Sequence, residues 1–459
     1  MNEILRRSGV EQARLIRKGE ISSVELVLAH LDRIDEINPS INAAVEVLRD
    51  SALAAARGVD ARRARGEEMR AFEGVPFSIK DSIEVEGTVC SAGTLGFRDN
   101  PLSARDATLV ARLREAGAIP IARTNLPDLL FAFESDNLIF GRTNNPHDLT
   151  RTSGGSSGGE AALIAACGSP FGLGSDAAGS VRLPAHYCGI AAIKPTSGRL
   201  PRTGHVPPAG GWIEALWQIG PMARHIVDLQ ALVPLLIGPD GEDRTVIPAP
   251  FESVGAEKKR IAFFTDNGIM PADADTKRVV EQAARSLEAV GYELIEGRPP
   301  AVELSYDLEM KFLGPDGGDG LRAYLKAIGS ERTHPLLGGW LNKLEAYRTD
   351  VPGFAGYWAE LDRFRGEMFR FLQGFDAILS PVSASPAVPH GDSIRYDIFP
   401  GYSYTMTHNL TGWPAAAVPA GQSNTGLPIG VQIATAPFRE DLALRIALEI
   451  EAASPGRGL

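Results

Sequence analysis

The chain has 459 residues, enough for about three average domains or one large one. Its residues are 44% hydrophobic and 22% charged, which excludes a mainly disordered chain and allows a large core. The net charge is −11 with no basic stripe, so nucleic acid is not an expected partner.

The elements follow in chain order. Residues 1–70 read as helical. Ser22 and Glu25 have capping-box spacing, and Val24, Val27, Leu28, Leu31 and Ile34 follow at helical intervals. An Ala- and Arg-rich helix is predicted over 51–65. A short apolar strand is predicted over 75–79, an amphipathic helix over 105–116 ending at Gly117, and a strand over 118–122. Later strands are predicted at 260–265, 377–380 and 429–434, and later helices at 275–290, 358–372 and 442–453. This alternation predicts an α/β fold, one large domain over 1–459 with a mixed sheet core covered by helices on both faces. Within it, 71–235 is the expected catalytic core and 304–375 a helical segment on the substrate side. The Gly/Asp-rich stretch 314–320 is expected to be a mobile loop that borders a site as a lid.

Only three cysteines occur, Cys90, Cys167 and Cys188, which gives neither a disulfide framework nor a zinc-type pair. All three are expected to be buried. The eight histidines show no metal spacing and no phosphate-binding loop occurs, so no metal and no cofactor is implied. The polar start has no signal-peptide pattern, and no run of about 18 apolar residues occurs. A cytoplasmic protein without a membrane partner is therefore expected.

The richest segment is 153–182. Gly154-Gly155-Ser156-Ser157-Gly158-Gly159 leads into an apolar run, and Asp176-Ala177-Ala178-Gly179-Ser180-Val181-Arg182 follows. Such a Gly/Ser run can be a plain flexible loop. Ser157 and Glu160 also match a capping box, which would make Ser157 a helix cap. Residues 154–158 match the G-x-S-x-G nucleophile elbow, with His390 or His408 to complete a triad. An elbow follows a buried strand, however, and the residues before Ser153 are polar and broken by Pro146.

A second serine chemistry fits better. GGSSGG, followed by the block around Ser180 and preceded by Ser78-Ile79-Lys80-Asp81, resembles the amidase signature family. Gly74-Val75-Pro76, Thr124-Asn125, Asn145-Pro146, the run 219–224, and the late stretches 412–415 and 426–432 look like family patterns too. The resemblance implies that Ser180 is the nucleophile. It implies that Ser156, on a cis peptide bond after Gly155, is the bridging serine, and that Lys80 is the base. It also implies an oxyanion hole of backbone N–H groups from Ala177, Ala178, Gly179 and Ser180. The family commonly has Gly where this chain has Ala178, which puts the shape of that turn in question. Asp176 and Arg182 are expected to pair and hold the loop, and Ser157 to cap or to bond within the site.

The chemistry is coherent. A serine hydroxyl needs a base, and Ser-Lys arrangements are a known substitute for Ser-His. Lysine acts as a base only when neutral, and burial lowers its reference pKa of about 10.4. Lys80 follows an apolar run that would carry it into a core, while strand alternation turns Asp81 to the other face. The expected function is hydrolysis of C–N bonds in amides with bulky or aromatic groups, with carbamates (urethanes) and esters as further substrates. Trp212, Trp217, Trp340, Trp358, Phe312 and Tyr404 are candidates to line an apolar pocket, although core packing explains each Trp singly. Two other readings stand beside it: a glutamine-hydrolysing amidotransferase component working with a partner protein, and a non-catalytic binding protein of the same fold. A homodimer is compatible with the sequence.

Overall fold

Eleven strands make one mixed sheet in the computed structural model, which describes residues 2–208, 210–251 and 259–454. In chain order they are β1 (Ala44–Val47), β2 (Pro76–Lys80), β3 (Ile119–Thr124), β4 (Phe171–Asp176), β5 (Ala191–Lys194), β6 (Gln218–Ala223), β7 (Arg260–Phe263), β8 (Glu293–Glu296), β9 (Ala377–Pro381), β10 (Ala415–Gln422) and β11 (Pro428–Thr435). Across the sheet the order is β1-β3-β2-β4-β6-β5-β10-β11-β9-β7-β8. The β3-β2-β4 and β9-β7-β8 blocks are parallel, and the pairings between and outside them are antiparallel.

Alternation along the strands assigns the two faces. On β2, Ser78 and Lys80 face the helix Gly158–Ala165, meeting Glu160 and Ser157 respectively. Phe77 points the other way, where its ring stacks on Phe171 of β4 at 6.1 Å. On β11, Gln432 reaches Arg182 of the helix Arg182–Cys188, while Ile429, Val431 and Ile433 join the large core that includes Ile446 and Ile450 of the helix Glu440–Ala453. Both faces are thus covered. That doubly buried setting explains why β2, β3, β4, β6 and β9 are apolar or small almost throughout, with their few polar side chains buried against partners. The three cysteines are free and buried. No helix among the described residues is long and apolar enough to cross a membrane.

Local signals set most element ends. Ser22 caps the helix Ser23–Ile41 through Glu25 N–H at 3.1 Å, and the Glu25 carboxylate accepts the Ser22 N–H at 2.8 Å. The helix predicted to begin at 358 runs from Val351 to Leu372. Asp350 caps it by accepting Gly353 N–H at 2.8 Å, and Pro352 sits in the first turn, where its missing N–H costs nothing. Conversely, the helix predicted from 105 begins at Thr108; Arg105 instead pairs with Glu242 and Asp106 accepts Glu86 N–H.

The helices Ser305–Leu313, Asp319–Ala327, Pro335–Leu344 and Val351–Leu372 roof one end of the sheet over three smaller apolar clusters. The stretch 314–320, expected as a lid, is a hydrogen-bonded turn directly after the cavity-lining Leu313. The Asp316 carboxylate ties the turn by accepting Gly318 N–H at 2.8 Å and Gly320 N–H at 2.7 Å, and Asp319 already begins a helix. None of its residues lines the cavity described below.

Candidate active site

The C-terminal ends of β2 and β4 lie side by side beneath the start of the helix Gly158–Ala165. Lys80, the last residue of β2, is fully buried. Its Nζ lies 2.6 Å from Ser156 Oγ, 3.0 Å from Ser157 Oγ and 3.2 Å from Ser175 Oγ. Among the described residues no carboxylate pairs with it directly. Burial pushes the ammonium well below its ordinary pKa, against the pull of the Asp176 and Glu160 carboxylates. Asp81 lies on the opposite face, as alternation required, where it pairs with buried Arg123 at 2.5 Å.

The Gly155–Ser156 peptide bond is cis. Gly155 is packed against the backbone of residues 132–134, and a Cβ there would fall 2.6 Å from Glu134 N. The capping box suggested by Ser157 and Glu160 does not form. Ser157 makes no side-chain cap and instead receives Lys80. Glu160 is buried and accepts from the hydroxyls of Ser78 and, at 2.7 Å, Thr124. Burial raises the Glu160 carboxyl to about 7, against those hydrogen bonds and Lys80. Long-range partners win here because both side chains face the sheet, not solvent.

Ser180 sits on the turn between β4 and the helix Arg182–Cys188. A buried ion pair braces this turn from below. Arg182 Nε and Nη2 each lie 3.0 Å from the Asp176 carboxylate. The same carboxylate accepts Gly179 N–H at 2.8 Å, Val181 N–H at 3.2 Å and Asn409 Nδ2 at 2.9 Å. Burial alone would raise the Asp176 carboxyl, but the Arg182 charge and these hydrogen bonds hold it well below the carboxylate range. Gly179 has φ +118°, a region that favours glycine. Its N–H is committed to Asp176, which corrects the expected oxyanion set. Ala177, Ala178 and Ser180 N–H have no protein acceptor among the described residues. Ala178 lies outside the left-handed region, so its Cβ does not strain the turn that Gly179 makes.

Ser156, Ser175, Ala177, Ala178 and Ser180 open into one cavity. Its walls are Leu129, Leu130, Phe131, Phe133, Ile213, Leu313, Trp217 and Trp340, with Pro207 and Pro208. Of the aromatics singled out in the sequence, Trp217 and Trp340 line it. Phe312, Trp358 and Tyr404 pack in a core cluster behind it, and Trp212 is half-exposed against Phe354. The elbow reading fails: Ser156 bonds to Lys80, His390 meets the Leu149 carbonyl and His408 is buried near Arg182.

The model of the amidase family matches residues 25–444. The chain belongs to the amidase signature family. It is 34% identical to an indoleacetamide hydrolase of Bradyrhizobium diazoefficiens, over 97% of this chain and 86% of that one. It is 31% identical to a component of the glutamyl-tRNA(Gln) amidotransferase of Bdellovibrio bacteriovorus, over 98% and 97%. Among solved structures, a fatty acid amide hydrolase superposes with a TM-score of 0.88 at 27% identity, covering 98% of this chain and 85% of that one. The protein is an amidohydrolase.

Three parts of this amidase site escape sequence reasoning. Ser175 adjoins Asp176 at the end of β4, so its contact with Lys80 is within reach of strand geometry. His205 is a lone histidine in a Pro/Gly-rich loop and carries no spacing signal. Its Nε2 lies 3.0 Å from Ser175 Oγ and its ring 4.6 Å from Trp217. Leu129 and Leu130 form a cavity wall with φ +47° and +68°. Consecutive leucines in the left-handed region are costly and leave no trace in a pattern of residue types.

Proposed function

We propose that this amidase hydrolyses uncharged amides with bulky apolar or aromatic groups, and that carbamates and esters enter the same attack. Neutral Lys80 takes the Ser156 hydroxyl proton while Ser156 takes the Ser180 proton. Ser180 Oγ then bonds to the carbonyl carbon, and its oxygen becomes an oxyanion. The N–H groups of Ala177, Ala178 and Ser180 are free to receive that charge, each such donor being worth about 3 kcal/mol in a transition state. The proton held by Lys80 returns through Ser156 to the departing amine as the C–N bond breaks. Water then cleaves the acyl-enzyme by the same relay in reverse.

The observation that carries the substrate class is the cavity wall. Among its lining residues only Asp176 and His205 are titratable. Asp176 is paired with Arg182, and burial keeps His205 neutral by pushing its pKa down to about 3. The α-ammonium and α-carboxylate of glutamine would find no countercharge there, and burying them unpaired is costly. An aryl or alkyl group gains from the same surface.

The test compares amine release from a neutral anilide and its matched carbamate with ammonia release from glutamine. Turnover of the anilide at least about 100-fold above glutamine in kcat/KM is expected, equivalent to ~2.7 kcal/mol of discrimination. Ammonia from glutamine with silence on the anilide would transfer the assignment to a glutamine-hydrolysing amidotransferase component. Silence on all three would reject the proposed substrate class.

The buried base also sets a pH dependence. Only neutral Lys80 accepts a proton, so the anilide rate rises with pH as Lys80 loses its ammonium proton. Because burial lowers that pKa, the rise in kcat/KM is expected to finish well below pH 10, leaving a plateau above it. A rate still climbing at the ordinary lysine value would contradict a buried neutral base.

A further inference from the structure

A neutral lysine has two N–H bonds and one lone pair, and Lys80 faces three hydroxyls. Only one of them can donate to the lone pair. Two of the three have their single proton committed elsewhere. Ser157 Oγ donates to the Ser175 carbonyl at 3.2 Å and accepts Ser175 N–H at 3.3 Å, so towards Lys80 it acts as an acceptor. Ser175 Oγ lies 3.0 Å from His205 Nε2.

The direction of that last bond follows from the far side of the ring. His205 Nδ1 lies 3.0 Å from the Pro207 carbonyl, which can only accept, so Nδ1 carries a proton. The ring is buried and neutral, which leaves Nε2 with a lone pair. Ser82 Oγ also approaches Nε2, at 3.2 Å, with no other side-chain partner among the described residues, so it competes with Ser175 for this lone pair. Ser175 lies nearer, at 3.0 Å. Ser175 therefore donates to His205 and presents its oxygen to Lys80 at 3.2 Å. Both Lys80 N–H bonds are then used, by Ser157 and Ser175. The lone pair is left for Ser156, the nearest of the three.

We propose that His205 is a positioning residue of this amidase. By accepting the Ser175 hydroxyl proton, it makes Ser175 an acceptor and so aims the Lys80 lone pair at Ser156. Without His205 the Ser175 hydroxyl is free to donate to that lone pair, and the base is turned away from the relay. This inference rests on Lys80 serving as the base for Ser180.

The readout is the rate at which Ser180 is labelled by a small ethyl fluorophosphonate, which reports nucleophile activation without an amide substrate. Wild type is compared with His205→Leu, His205→Asn, His205→Gln, Ser175→Ala and the Leu/Ala double variant, each checked for an unchanged melting transition. Labelling of His205→Leu is expected to slow at least about tenfold. Glutamine places a carbonyl where Nε2 stood and should recover most of that rate. Asparagine reaches only the Nδ1 position and should not. In the Ser175→Ala background, His205→Leu should cost nothing further, because its partner is already gone.

A His205→Leu variant that labels at the wild-type rate would overturn the proposal, as would effects of His205 and Ser175 that multiply. Equal rates for the Gln and Asn variants would do the same, and that pair carries the test if the leucine variant does not fold. A wild type that never labels at Ser180 would remove the serine mechanism itself, a separate result from an active wild type indifferent to His205.

Discussion

Replacing Ser180 with alanine is expected to lower anilide turnover about 10⁴-fold or more while leaving the protein folded. The fold should tolerate the change for a local reason. The contacts that hold this turn come from neighbours and backbone: Asp176 accepts from Gly179 and Val181, and the Ser180 carbonyl accepts Ser157 N–H at 3.1 Å. None uses the Ser180 hydroxyl, which opens towards the cavity. The stability change should stay within about 1 kcal/mol. Lys80→Ala and Ser156→Ala should also cost large factors in rate. Because the three side chains act on one proton, combining them with Ser180→Ala should add almost nothing. A folded Ser180→Ala enzyme with near-wild-type kcat/KM would sink the mechanism.

The roles of these three residues are read from the family resemblance. Local pattern by itself delivers Lys80 into the core at the end of an apolar run and marks the two Gly-rich blocks as sharp turns. What stays hidden depends on partners far away in sequence. Ser157 and Glu160 have the spacing of a helix cap, yet that spacing says nothing of Lys80, Ser78 or Thr124, which take their side chains in the folded protein. The Gly179 N–H is committed because one carboxylate serves Arg182, Asn409 and the turn's own backbone at once. His205 lies far along the chain from β2 and reaches Lys80 only through Ser175. The aromatic residues show the same limit. Trp340 enters the cavity while Trp358 packs behind it, and nothing in the residue type distinguishes them. In the fold, the buried strands β2, β3, β9 and β11 are legible as apolar runs, whereas β4 and β6, equally buried but interrupted by glycine, are not. The start of the helix Val351–Leu372 is masked by Pro352 and Gly353, residues permitted in a first turn.

The second large effect is structural. Arg182→Met is expected to destabilise the protein by about 3–5 kcal/mol at neutral pH, because it strips the partner from a carboxylate with no access to water. Asp176 and Arg182 are both fully buried. The guanidinium also donates to the Thr405 carbonyl at 2.9 Å, Gln432 Oε1 at 3.0 Å and Asn409 Oδ1 at 2.6 Å, so it ties the Ser180 turn to the helix Ser403–Leu410 and to β11. In the native protein the Asp176 carboxyl is held below its unfolded value of 3.8. Its contribution to stability is therefore fully present above that value and is lost as pH falls through the lowered folded one. In Arg182→Met the sign reverses. Burial then dominates and lifts the carboxyl above its unfolded value, so the folded state holds the proton more tightly. Stability of the variant should fall as pH rises from about 4 to 7, and its gap from wild type should narrow on acidification. Asp176→Asn added to Arg182→Met removes the stranded charge and should restore part of the loss, a coupling of the kind expected for residues in direct contact. Urea midpoints at about pH 5 and pH 7.5 decide the matter. A gap that is the same at both, or a double variant no more stable than Arg182→Met alone, would mean that lost packing and hydrogen bonds, not a buried unpaired carboxylate, set the cost.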